Sequence, residues 1–206
     1  MTQTLQARNV TLRGLIRDFK LELVRERDFF LEWREGLSEL TDSEKQALDK
    51  IQEGFFNLRA NDPYLERAVQ VSIVSPILFL ADFFLPPFHI KTEQLTEIIT
   101  EDEGVTVRGQ LDLIVLKDDF WVIVIESKEI SYTIEMGLAQ LLAYMLANPH
   151  GDKPGFGLIT NGADFTFVKL LRNDSPQYAT SRQFNIRNEG NELYDVFRIL
   201  KRISQL

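Results

Sequence analysis

The chain has 206 residues, 44% of them apolar and 26% charged, proportions of a globular protein with room for one sizeable core. It has no cysteine and only two histidines, His89 and His150, which excludes disulfides, thiol nucleophiles and histidine-rich zinc sites and fits a cytoplasmic protein. A formal net charge of −8 excludes strong DNA binding through the whole surface, which needs many lysine and arginine contacts to phosphates. From Phe167 onward, however, 7 basic residues stand against 4 acidic ones, so a nucleic-acid contact is expected at this end or through a partner subunit. A mixed solvated surface explains the same count.

The first residues, MTQTLQARN, carry no apolar signal core. Leu12, Ile16, Phe19, Leu23, Phe30, Trp33 and Leu37 recur at three- and four-residue steps, which predicts one long helix over 10–37, interrupted at Glu26. Its stripe would pack on its own domain or form a coiled-coil seam in a homodimer. Thr41-Asp42-Ser43-Glu44 is a capping box, so a second helix starts at Asp42 and runs to about Arg59. Asn61-Asp62-Pro63 signals a third start. Pro76 predicts a kink or fresh start, with helix resuming to Phe84 until Pro86-Pro87. The apolar stretch 69–88 is broken by Ser72, Ser75, Pro76 and Asp82 and reads as buried helix, with no membrane span.

A strand is expected over 88–99 and a turn over 101–104. Residues 111–116 and 120–125 are apolar runs joined by Lys117-Asp118-Asp119, a hairpin buried on both faces. A helix is predicted over 132–147, with Leu138, Leu141, Leu142 and Met145 on its apolar face, stopped by 148–151. Residues 155–160 and 165–171 pair around Asn161-Gly162. Residues 172–181 read as loop, 183–186 as a short strand and 192–203 as a closing helix. Strands on both sides of a helix predict a mixed sheet flanked by helices.

The hairpin carries Asp112 on its first run and Glu126-Ser127-Lys128 at the end of its second. Buried charges need partners or a metal. Side chains alternate along a strand, so Glu126 and Lys128 point the same way, and the hairpin returns Asp112 alongside them. Two carboxylates suit a hard dication such as Mg²⁺, and the Ser127 carbonyl would add a third oxygen. A lysine there would hold or deprotonate an attacking water. A structural ion pair at a sheet edge explains the same trio. Gln140 and Tyr144, four apart, share one helix face.

Gly109-x-x-Asp112, Glu126-x-Lys128 and Gln140-x-x-x-Tyr144 together resemble the PD-(D/E)XK nuclease superfamily, in its RecB-like variant. Thr160-Asn161-Gly162 further resembles the N-terminal nuclease region of type I restriction enzyme R subunits. The likeness spans about residues 60–172. It implies an α/β restriction-endonuclease-like core of order αβββαβ, in residues 61–206, behind an added N-terminal helical segment, 1–60.

It further implies Mg²⁺-dependent, or Mn²⁺-dependent, cleavage of DNA phosphodiesters. Asp112 and Glu126 would be the metal ligands and Lys128 would act on the water. Gly109 would permit a close backbone approach, and Gln140 and Tyr144 would support the lysine or touch DNA. The family often adds an acid from the helix before the sheet, for which Glu66 is the candidate and Glu93 or Glu97 the fallbacks. Glu66 also reads as a first-turn acid favoured by the helix dipole. No phosphate-binding G-x-x-x-x-G-K-[ST] loop occurs, so a nuclease module without a motor is expected. The rival reading is a non-catalytic interaction protein on a nuclease-like core.

Overall fold

Strand-period apolar runs build the centre of the molecule. The computed structural model describes residues 3–61, 66–99, 105–117, 120–127, 134–148, 153–172 and 175–206. Among these, nine strands form one mixed sheet. They are β1 (Gln3–Gln6), β2 (Glu22–Leu23), β3 (Phe88–Ile99), β4 (Val105–Lys117), β5 (Phe120–Ser127), β6 (Gly155–Thr160), β7 (Asp164–Arg172), β8 (Pro176–Thr180) and β9 (Phe184–Asn185). The order is β1-β4-β5-β6-β7-β8-β2, with β3 on the other side of β4 and β9 on β7. The strands β3, β4 and β5 form an antiparallel meander, and β5 then pairs parallel with β6. A parallel neighbour needs a crossover, and helix α5 (Ile134–Leu146) supplies it.

The remaining helices are α1 (Leu12–Phe19), α2 (Asp42–Asn61), α3 (Glu66–Val69), α4 (Ser75–Leu80) and α6 (Leu193–Ser204), with a π-helical turn, Gln70–Val74, between α3 and α4. The sheet divides two cores. Ile123 and Ile125 of β5 face one, with Phe55, Ile77, Phe167 and Phe197. Val124, pointing the other way, faces the second, with Leu15, Leu141, Leu142 and Ile159. Thus α2, α4 and α6 cover one face of the sheet, and α1 and α5 the other.

Local signals explain where several elements begin. The Thr41 N–H donates to Glu44 Oε2 at 2.7 Å and the Glu44 N–H returns to Thr41 Oγ1 at 3.2 Å, so the capping box forms as read. Pro76 comes just after the π-helical turn, and Val74 and Ser75 keep right-handed helical φ and ψ, so the helix runs on through Pro76 with a local change of hydrogen-bond pattern and no fresh start. That helix ends at Leu80 rather than Phe84, and Asp82 takes a left-handed φ of 61°.

Three expectations are corrected. Residues 10–37 are not one helix: α1 ends at Lys20, which is left-handed with φ 52°. The chain then pairs as β2 with β8 and makes a 3₁₀ turn, Arg27–Phe30. The apolar period is shared between the two cores: Leu12 and Phe19 pack into one, Phe30, Trp33 and Leu37 into the other. One straight helix cannot reach both sides of a sheet, so the coiled-coil seam has no continuous helix to carry it. Residues 1–60 are thus not helical throughout but add β1 and β2 to the sheet. Residues 172–181 are not all loop, because β8 buries Tyr178 and Ala179 against β7. The start signal at Asp62-Pro63 and the turns at 101–104 and 118–119 lie outside the described residues, as do the first residues of the helix predicted from 132 and the stop at 149–151. Among the described residues no helix is long and apolar enough to cross a membrane.

Candidate functional site

The site is built at the C-terminal end of β5, an interior strand held on both edges. Leu113 pairs with Ile125, so the next step along the antiparallel register sets Asp112 level with Glu126. On the other edge Glu126 is level with Ile159 and Ser127 with Thr160. Period two places Glu126 on the face of Val124, beneath α5. Its exposure is 0%. Asp112 is half-buried.

Helix α5 carries Gln140 and Tyr144 on the same side of the sheet as Glu126. Four residues apart, they meet: Gln140 Nε2 donates to the Tyr144 hydroxyl at 2.9 Å, and that hydroxyl donates to the Gln110 carbonyl at 2.8 Å. Burial first, then the negative charges of Glu126 and Asp112, hold the Tyr144 phenol well above its ordinary pKa, against the opposing pull of its hydrogen bonds. The phenol therefore stays protonated and keeps its bond to β4. Tyr144 thus lies within electrostatic reach of both acids.

Gly109 explains how the ring fits. A Cβ there would stand 2.5 Å from Ala7 Cβ and 2.7 Å from the Tyr144 ring. Only a residue without a side chain lets both lie on β4. The group that approaches this backbone closely is Tyr144 itself.

Asp112 is oriented from the end of β5. The Ser127 N–H and Oγ–H both donate to Asp112 Oδ2, at 2.8 and 2.9 Å. Gln70, first residue of the π-helical turn, donates through Nε2 to Ser127 Oγ at 2.7 Å. The chain Gln70–Ser127–Asp112 thus ties the helical layer to the acid. The Thr160-Asn161-Gly162 turn helps to seat that layer. Gly162 has φ +82°, its N–H donates to Thr160 Oγ1 at 2.9 Å, and a Cβ on it would lie 2.9 Å from Val69 Cγ2. Val69 is the neighbour of Gln70, so the glycine permits a close approach of the turn and this helix.

Gln70 escaped the sequence reading. That reading sought an acid on this helix and named Glu66, which opens α3 half-buried, one turn before Gln70. The i, i+4 spacing from Glu66 was the available signal, but an amide carries no motif of its own. Lys128 lies outside the described residues, and so do the side chains of Glu93 and Glu97. For Ser127 the contacts seen are made by its N–H and Oγ.

Among the described residues no group of three or more His, Asp or Glu side chains is placed to hold a metal ion. The chemistry of the Asp112–Glu126 pair still fits Mg²⁺ or Mn²⁺, hard dications that take carboxylate oxygens and keep several waters. A cavity of about 350 Å³ lies toward the opposite end of β5, between Trp121, Val122, Phe156 and Ile203, and is separate from this pair. No protein-family model matches the chain. No curated protein matches it significantly either. The functional reading therefore rests on the residues themselves.

Proposed function

We propose that this protein is a divalent-metal-dependent endonuclease that hydrolyses DNA phosphodiesters, with a restriction-endonuclease-like core. One observation carries the reading: the strand register sets Asp112 level with Glu126 at the end of β5, and both acids lie within electrostatic reach of Tyr144 on α5. Support also comes from the element order. The helical layer α3–α4, the meander β3–β4–β5, the crossover α5 and the parallel β6 follow one another in the αβββαβ sequence that the resemblance implies. The likeness to type I restriction R subunits makes the protein restriction-like, and the 206 residues hold no motor loop.

In this reading Asp112 and Glu126 hold the ion, with the Ser127 carbonyl as a further oxygen. A bound Mg²⁺ would polarise the phosphate and lower the pKa of its water. Ser127 and Gln70 fix the Asp112 carboxylate, so that little reorganisation is needed when substrate arrives. Lys128 orients the attacking water. Tyr144, kept neutral, braces β4 against α5. Glu66 is the candidate for a further acid at the edge of the site.

Purified protein with Mg²⁺ or Mn²⁺ should nick plasmid DNA. Asp112→Ala, Glu126→Ala and Lys128→Ala should each abolish cleavage while circular dichroism stays native. Metal-dependent cleavage that survives all three would sink the assignment, and cleavage of RNA alone would move the substrate class. The complete burial of Glu126 favours a second reading, a non-catalytic interaction protein in which the carboxylates are a structural network. That protein would bind no dication at the pair.

A further inference from the structure

We propose that Gln70 is a positioning residue for the acid pair: its amide directs the Ser127 hydroxyl proton onto Asp112 and so holds that carboxylate ready for the ion. This role rests on the reading of Asp112 as a metal ligand, and it names the residue that sets the direction of the hydrogen bonds around that ligand. The first observation is the pair of contacts at Ser127 Oγ. Gln70 Nε2 stands 2.7 Å from this oxygen, and the oxygen stands 2.9 Å from Asp112 Oδ2. Ser127 is 1% exposed, so bulk water does not compete for its hydroxyl.

Donor and acceptor chemistry fixes the direction of these bonds. An ionised carboxylate only accepts, and a hydroxyl has one proton to give. The bond to Asp112 therefore uses the Ser127 proton. The group on the other side of Oγ must then donate, which an amide N–H does. A carboxylate at position 70 could only accept and would draw the proton away from Asp112. A hydroxyl with no fixed donor beside it rotates to suit its neighbours, whereas Gln70 leaves this one a single orientation. Asp112 Oδ2 then receives two donors, the Ser127 N–H at 2.8 Å and the hydroxyl. Bonds to a charged acceptor are among the stronger ones, and a carboxylate already fixed needs little rearrangement when a cation arrives.

The second observation is the backbone that carries Gln70. It opens the π-helical turn, in which the Ser75 N–H reaches back to the Gln70 carbonyl, one residue further than in an α-helix. Such turns recur at functional sites. Pro76 has no N–H and so cannot close an α-helical bond at the next position. The buried apolar row of this helical layer runs through Val69, Ile73, Val74, Ile77 and Leu78. Gln70, half-buried beside that row, uses its amide on Ser127, 57 residues away in sequence, and not on its own helix. An apolar side chain would serve the row as well, so packing alone does not call for an amide at this position.

The unmodified full chain is to be compared with Gln70→Met, Ser127→Ala and the double variant. Methionine is close to glutamine in length and has no donor. Mn²⁺ affinity is read by calorimetry, and kcat and KM from plasmid nicking at saturating Mn²⁺. Gln70→Met should raise the Mn²⁺ Kd about threefold to tenfold, the worth of one lost hydrogen bond, and should lower kcat while leaving the KM for DNA unchanged. Because Gln70 acts through Ser127, the double variant should match Ser127→Ala alone. Gln70→Ala should give the same pattern, which guards against a methionine that disturbs packing. An unchanged Mn²⁺ Kd in both position-70 variants, with or without a fall in the unfolding midpoint, would overturn the role of Gln70 and leave Asp112 a ligand. Losses in the single variants that simply add in the double would overturn it too. No Mn²⁺ binding by the unmodified chain would overturn the metal-site reading and this role with it.

Discussion

The two faces of the sheet are built differently. Beneath α2, α4 and α6 the face is lined by Ile123, Ile125, Phe156, Leu158, Phe165 and Phe167, all buried and apolar. Beneath α5 the corresponding row is broken, because Glu126 stands buried in line with Val124. A charge in that position is a poor way to stabilise a fold: apolar replacements of buried ion pairs are often neutral or stabilising. The first face has a buried charge as well, Lys169, next in line after Phe165 and Phe167, and it is paired with Glu32 at 2.6 Å. On the proposed function, the first face chiefly stabilises the fold and the second carries the chemistry.

Substitutions can break that contrast in order of size. The largest effect on folding should come from the first face. Phe197→Ala removes a side chain with 0% exposure from the α6 layer and should cost about 3–5 kcal/mol in urea unfolding. On the second face Glu126→Gln should leave the unfolding midpoint equal or higher, yet reduce metal-dependent cleavage by about a hundredfold or more. A large loss of stability in Glu126→Gln would mean that the carboxylate is structural.

Gly109→Ala sharpens the comparison at the contact of β4 with α5. The new methyl group would meet Ala7 and the Tyr144 ring, and overpacking of this kind costs about 1–3 kcal/mol. Activity should fall with it, because the displaced ring lies within electrostatic reach of the carboxylates.

The smallest effects are those of pH on ion pairs away from the sheet centre. Burial would raise Glu44, but the bonds from Lys201 and Thr41 outweigh it and hold its pKa below the ordinary value of 4.5. Glu192 is lowered likewise, against burial, by the Asn185 N–H, Arg182 and Asn188. Their contribution is present above pH 4.5 and is lost as pH falls through the lower folded values. Tyr194 runs the opposite way. Burial and its bond to Asp49 push it up to about 12, so its contribution is full below pH 10 and is lost as pH rises toward 12. Thermal melts from pH 3 to pH 12 should show both shoulders, and a flat acid limb would remove the first.

Much of this was legible in the sequence because local chemistry decides it. The capping box at Thr41, the strand pairs around Asn161-Gly162 and the Gln140–Tyr144 spacing all formed as read. The hairpin register, continued one step, also sets Asp112 level with Glu126. The failures share one cause. Leu12 to Leu37 kept a helical period while the chain crossed from one core to the other, and periodicity cannot report which side of a sheet a residue joins. Tyr178 and its neighbours read as loop because a short strand beginning at Pro176 gains its partners, β7 and β2, only from tertiary structure. Gln70 reaches Ser127 across 57 positions of sequence, a contact that no motif announces.

The central claim is that Asp112 and Glu126 form one dication site. Calorimetric titration of Mn²⁺ into the full chain tests it without requiring turnover. Saturable binding to the unmodified protein, weakened at least about tenfold by Asp112→Asn and by Glu126→Gln, is the expected result. Heats indistinguishable among the three proteins, or no binding at millimolar Mn²⁺, would contradict it.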